Sequence, residues 1–191
     1  MSDHDDFTFV CGLISKFCGN RTIRAKYKSL ADIPLKGWEK WFQIEFSLFL
    51  HNRSDIEWDR ECGLPRDGRK SAHTKAFVDF YFRRKYTDTP SRIALEVKLG
   101  TSLNSCLDGM IKDWVKQDSL RPSLNQANWL LGFYPSENHL PKDAIIERAN
   151  KKIPKMCKNH KIPKVWEDTK LNPQNVESST IGRSGYAYII F

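Results

Sequence analysis

The chain has no run approaching the ~18 consecutive apolar residues that cross a bilayer, so no membrane-spanning helix is expected. Cysteine is scarce. Cys11, Cys18, Cys62, Cys106 and Cys157 form no CxxC pair, and their scatter excludes a disulfide scaffold. Cys157 and His160 have the spacing of metal ligands, but no second pair stands nearby to close a tetrahedral zinc site. Internal repeats and low-complexity segments are absent. The opening MSDHDDFTF is acidic and lacks the basic region of a secretory or transit signal, so the expected location is the cytoplasm.

What remains is a globular composition. The 191 residues are 40% hydrophobic, 28% charged and 12% aromatic, which rules out a disordered tail, a collagen-like repeat or a coiled coil. That length fits one domain with a sizeable core, here taken as 1–191. Thirty-one Lys and Arg stand against 23 Asp and Glu, a net charge of +8. Such a balance suits an acidic partner, nucleic acid being the commonest, or serves solubility alone.

Residues 6–20 suggest a short helix ending at Gly19, and the basic segment 21–35 reads as a connection. Over 36–53, Trp38, Trp41, Phe42, Glu45, Leu48 and Phe49 recur at helical spacing and predict a buried helix. The period then shortens. Residues 57–62, 75–84 and 92–99 read as three strands of a meander, the first two separated by the turn-rich 63–74. Thr101 or Ser102 caps a second helix reaching about Ser119, with Leu103, Leu107, Met110, Ile111 and Trp114 as its core stripe. Residues 126–134 form a strand apolar on both faces, 141–160 a basic helix, 161–184 mostly loop, and the C-terminal GYAYIIF a last strand. This order predicts an α/β sheet with helices on its faces.

Three charged residues stand out within the apolar strands. Along 92–99, Ile93, Leu95, Val97 and Leu99 point to one face and Ala94, Glu96 and Lys98 to the other. Asp79 is the only charge in 76–82, and a hairpin brings it beside Glu96. Two carboxylates beside a lysine suit a hard divalent cation such as Mg²⁺, or Mn²⁺ in its place. Glu45, flanked by aromatic and aliphatic residues at i±3 and i±4, is expected to join them, since a buried carboxylate needs a partner. The competing reading is structural: Glu96 paired with Lys98 or a cross-strand lysine, and Asp79 with Arg83 or Arg84.

Asp79, sixteen intervening residues and then Glu96-Val97-Lys98 resembles the PD-(D/E)XK nuclease superfamily, over about residues 36–134. Val78, not proline, precedes Asp79. The resemblance implies a restriction-endonuclease-like core, a central mixed β-sheet flanked by helices in αβββαβ order. Residues 1–35 would be an N-terminal extension, and 141–191 would add the basic helix, a loop and the last strand. It also implies metal-dependent hydrolysis of phosphodiester bonds. Asp79, Glu96 and the Val97 carbonyl would hold Mg²⁺, Lys98 would orient the attacking water, and Glu45 would bind a second metal or position its water.

Two segments offer phosphate contacts. Arg66, Arg69, Lys70 and His73 lie in the 63–74 loop, and Lys151, Lys152 and Lys155 lie in the basic helix. A solvated face or a mobile exposed loop would look the same. Asp108, Lys112 and Lys116, four apart, read as an ion ladder. The expected activity is a Mg²⁺-dependent DNA endonuclease, with RNA as the other substrate, in restriction, anti-phage defence, mobile-element or repair settings. Cutting both strands with one site per chain would call for a homodimer. The rival readings are a nucleic-acid-binding module without catalysis and a regulatory protein with a basic interaction face.

Overall fold

The computed structural model describes residues 3–33, 37–66, 74–86, 92–118, 126–159 and 169–191. The helices are α1 (Asp3–Gly19), α2 (Arg21–Ala31), α3 (Glu39–His51), α4 (Leu103–Asp118) and α5 (Lys142–Asn159). The strands are β1 (Ile56–Pro65), β2 (Lys75–Arg84), β3 (Arg92–Leu99), β4 (Gln126–Pro135), β5 (Glu177–Thr180) and β6 (Tyr186–Ile190). They form one mixed sheet in the order β1-β2-β3-β4-β6-β5. Among the described residues only the β3–β4 pair is parallel, and α4 lies in that crossover. Among the described residues, no helix is long and apolar enough to cross a membrane.

Two cores sandwich the sheet. On one face, α1, α2 and α3 cover Ile93, Leu95 and Val97 of β3 and Trp129, Leu131 and Phe133 of β4. Phe17 of α1 joins this aromatic layer, its ring 5.3–5.6 Å from those of Phe42, Phe46 and Phe49. On the other face, α4 and α5 pack over Leu130, Tyr134, Ala187 and Ile189. The alternation expected along β3 therefore holds, with Glu96 and Lys98 on the side opposite Leu95 and Val97.

Segment 21–35 corrects the sequence reading, because 21–31 is helical. Asn20 does not merely end α1. Its side-chain oxygen accepts hydrogen bonds from the backbone of Thr22 and Ile23 at 2.8 and 3.4 Å and so starts α2. Ile23 and Tyr27, one turn apart, anchor α2 to the core, and the Tyr27 ring meets Trp38, Trp41, Phe133 and Tyr186. A second correction is β5, a short strand within the segment read as mostly loop. It carries only Ser, Thr and Glu and is held by pairing with β6 rather than by an apolar face.

The α4 start matches expectation. Ser105 N–H donates to the Ser102 hydroxyl at 3.2 Å while Ser102 N–H donates to the Ser105 hydroxyl at 3.0 Å, a reciprocal cap.

The β1–β2 hairpin changes sides along its length. Ile56, Trp58, Phe80 and Phe82 belong to the α1–α3 core, whereas Cys62, Leu64, Ala76 and Val78 belong to a separate cluster with Tyr81 and Ala94. Both strands switch at the same level, between Arg60↔Phe80 and Cys62↔Val78. At the switch β1 carries Glu61 in a left-handed conformation, φ 52°, and β2 carries Asp79.

Candidate active site at the splayed end of β2 and β3

The β2–β3 ladder runs through Phe82↔Ile93, Tyr81↔Ala94 and Phe80↔Leu95 and then stops. The next residues along the two strands are Asp79 and Glu96. Beyond the last pair a side chain takes over the role of the backbone. The Val97 N–H donates to Asp79 Oδ2 at 2.8 Å. The other Asp79 oxygen, Oδ1, accepts a 2.8 Å hydrogen bond from the Gln43 side-chain amide of α3. Glu96 is buried, only 6% exposed, on the α4 side of β3.

Lys98 lies two residues on and reaches α4, where its ammonium meets Asp113 at 2.7 Å. Its stem crosses α4 at Gly109. A Cβ there would sit 2.6 Å from Lys98 Cγ and 2.7 Å from Cδ, so glycine is what admits the lysine. Burial works against the Lys98 charge, but its hydrogen bond and attraction to Asp113, helped by Glu39 and Glu96, raise its pKa above the ordinary lysine value. Lys98 is therefore a fixed ammonium at neutral pH.

The helix carboxylate of this cluster is Glu39. It opens α3 one turn before Gln43 and lies within electrostatic reach of Asp79, Lys98 and Asp113. Burial raises its carboxyl above the ordinary value; Lys98 opposes that rise, and Asp79 and Asp113 add to it.

Glu45 is elsewhere. It forms an ion pair with Lys26 of α2 at 2.5 Å, and the buried side of α3 is the stripe of Phe42, Gln43, Phe46 and Leu50. Two positions along a helix are about 200° apart around its axis, so a residue two after Gln43 faces away from Asp79. Ile44 and Leu48, 53% and 54% exposed, confirm that α3 is apolar beyond its buried stripe. That surplus of apolar residues is what misplaces the stripe in a reading of the sequence. The usable signal was the Glu39–Gln43 pair itself, four apart and in line with Phe46 and Leu50.

The structural pairings weighed for Asp79 do not form with Arg83 or Arg84 as principal partners. Arg83 donates to Glu57 at 2.7 Å and Arg84 faces Asp6 at 3.4 Å. Asp113, which nothing in the sequence singled out, takes Lys98.

The two groups of phosphate-contact candidates are only partly brought into view. Arg66 is half-buried, and its backbone N–H bonds to the Thr74 carbonyl at 3.0 Å, closing the base of the hairpin. Arg69, Lys70 and His73 lie outside the described residues, as do His160 and the Cys157 side chain. On α5, Lys155 is exposed and Lys151 is exposed but paired with Glu147. Lys152 is half-buried and joins α5 to α4 through Asp108 at 2.8 Å, so Asp108 ties two helices together; of the ion ladder expected along α4, the Lys116 side chain lies outside the described residues.

The Asp79 and Glu96 carboxylates offer the oxygen donors that a hard divalent cation would take. Mg²⁺ takes oxygen ligands, keeps several waters and is commonly held by one or two protein carboxylates. Asp79 uses one acceptor direction on each oxygen and keeps others free, since an ionised carboxylate has about four. Among the described residues, no group of three or more His, Cys, Asp or Glu side chains is placed to hold a metal ion. No family model, curated protein or solved structure matches this chain.

Proposed function

We propose that this chain is a Mg²⁺-dependent endonuclease that hydrolyses phosphodiester bonds of DNA on a restriction-endonuclease-like core. The observation that carries the reading is that Asp79 and Glu96 are the first residues beyond the last β2–β3 pair, with Lys98 two further on and Glu39 of α3 within electrostatic reach of Asp79 and Lys98. Such a cluster of charge within apolar strands is costly to bury and is expected where the charges are used.

Asp79 and Glu96 would hold the ion, with the Val97 carbonyl as a further donor. Bound Mg²⁺ supplies a Lewis acid for the phosphate and lowers the pKa of a coordinated water. Lys98 orients the attacking water and offsets the charge that grows on the phosphate oxygens. Asp113 keeps its ammonium in place, and Gly109 gives its stem room. Glu39, rather than Glu45, is the helix carboxylate available to bind or orient water. The net charge of +8 and the exposed lysines of α5 favour a polyanionic substrate. Hydrolysis of both strands would recruit two copies of the chain.

Conversion of supercoiled plasmid to nicked and linear forms, with Mg²⁺ or with EDTA, tests this reading. Product should form only with the metal, and Mn²⁺ should substitute. Lys98→Ala should abolish most cleavage and leave DNA binding nearly intact, because Lys98 acts on the water and the transition state. Cleavage that survives EDTA, or Lys98→Ala cutting at the wild-type rate, would refute it. DNA retention without any cleavage would favour a binding module instead.

A further inference from the structure

Gln43 is the one side chain on the buried stripe of α3 that packing does not explain. It is fully buried among Phe42, Phe46 and Leu50, where an aliphatic residue would fill the space without desolvating an amide. Both ends of that amide are spent on charged groups. The Lys40 ammonium donates to Gln43 Oε1 at 3.0 Å, and Gln43 Nε2 donates to Asp79 Oδ1 at 2.8 Å. An ammonium can only donate, so Lys40 fixes which end of the amide is the oxygen. The NH₂ group is thereby turned to Asp79. Lys40 is itself tethered to Glu61 at 2.9 Å, at the left-handed residue where β1 changes sides. The Asp79 carboxylate is thus clamped between the Val97 N–H on β3 and an amide whose direction is set from the edge strand.

We infer that Gln43 is a positioning residue for the metal site, aligning the Asp79 carboxylate through an amide held in one orientation by Lys40. The inference rests on the metal-dependent reading above and assigns Gln43 no contact with metal or substrate. Groups that orient a ligand in this way are commonly worth ten- to a hundred-fold in metal affinity.

The test is a Mg²⁺ titration of the melting temperature, which reads metal binding without catalysis. It is run on wild type and Gln43→Leu, with the Mg²⁺ dependence of plasmid nicking measured on the same samples. Gln43→Leu should need at least about tenfold more Mg²⁺ for the half-maximal rise in melting temperature, and the same excess for nicking. Its cleavage should recover towards wild type at saturating metal. A residue that only supports the fold would lower the metal-free melting temperature and leave the Mg²⁺ midpoint where it was; that result overturns the inference alone. A wild type whose melting and cleavage both ignore Mg²⁺ overturns the metal-dependent reading and this inference with it. Should Gln43→Leu fail to fold, Gln43→Met fills the same slot with an unbranched chain that offers no donor, and the same midpoint decides.

Discussion

Substituting alanine for Gly109 separates the placement of Lys98 from its charge. Gly109 is in the middle of α4, where alanine alone would favour the helix by about 1 kcal/mol. Here the new methyl would lie 2.6, 2.7 and 3.4 Å from Lys98 Cγ, Cδ and Cε. Carbon atoms rest at about 3.5–4.0 Å, so the stem must retreat by about 1 Å. Overpacking of this kind costs about 1–3 kcal/mol, so after the helical gain the net destabilisation should be only about 0–2 kcal/mol. The ammonium, 2.7 Å from Asp113, would be carried off its position. A displacement of about 1 Å at a reacting centre can cost about 10²-fold in rate. Gly109→Ala should therefore melt close to wild type while nicking falls by about two orders of magnitude. Gly12, in α1 with nothing within 4 Å of its would-be Cβ, is the matched control. Gly12→Ala should gain about 1 kcal/mol and cut normally. Thermal melts and single-turnover nicking on both variants supply the comparison. If Gly109→Ala cuts as fast as Gly12→Ala, the position of Lys98 does not limit the reaction and the argument fails.

Glu45→Gln removes one partner of the Lys26 pair, half of which is exposed, and should shift stability by no more than about 1 kcal/mol while leaving nicking unchanged; a large loss of cleavage in a normally folded variant would return Glu45 to the site. Glu39→Gln should do the opposite, cutting poorly. Its effect on stability depends on pH. Because the folded pKa of Glu39 is raised above 4.5, its contribution to stability is fully present below that value and is lost as the pH rises through the folded pKa. Glu39→Gln should accordingly melt higher than wild type at neutral pH, with the gap closing as the pH falls towards 4.5. Paired melting curves across that range check it, and a gap independent of pH would contradict the burial of Glu39.

The faces of Glu96 and Lys98 were legible because apolar and charged residues alternate along β3, and the structure keeps that alternation. Charges as rare as Asp79, Glu96 and Lys98 in apolar strands are conspicuous, but alternation does not fix the face of Asp79, because β2 changes sides there. The helix residue was not legible for a physical reason. α3 carries more apolar side chains than it buries, with Ile44 and Leu48 exposed, so its pattern fits more than one stripe and the wrong carboxylate looks enclosed. α2 escaped notice because only Ile23 and Tyr27 are buried and most of the rest is basic, polar or alanine, so no apolar stripe stands out. Asp113 and Gly109 were invisible in sequence because what matters is their distance from Lys98, which only the packing of α4 on β3 sets.

The side switch at Glu61 has a bearing on how copies of this chain can meet. β1 is one of the two outer strands of the sheet, and an outer strand of ten residues offers unpaired N–H and C=O groups to any similar strand. A left-handed residue in its middle interrupts the regularity of that row, and the exposed Asp59, Arg60 and Glu61 add charge there. An incoming strand finds no continuous template along this edge. The same change of sides that turns the hairpin past Asp79 thus leaves the β1 edge a poor template for a strand of another copy.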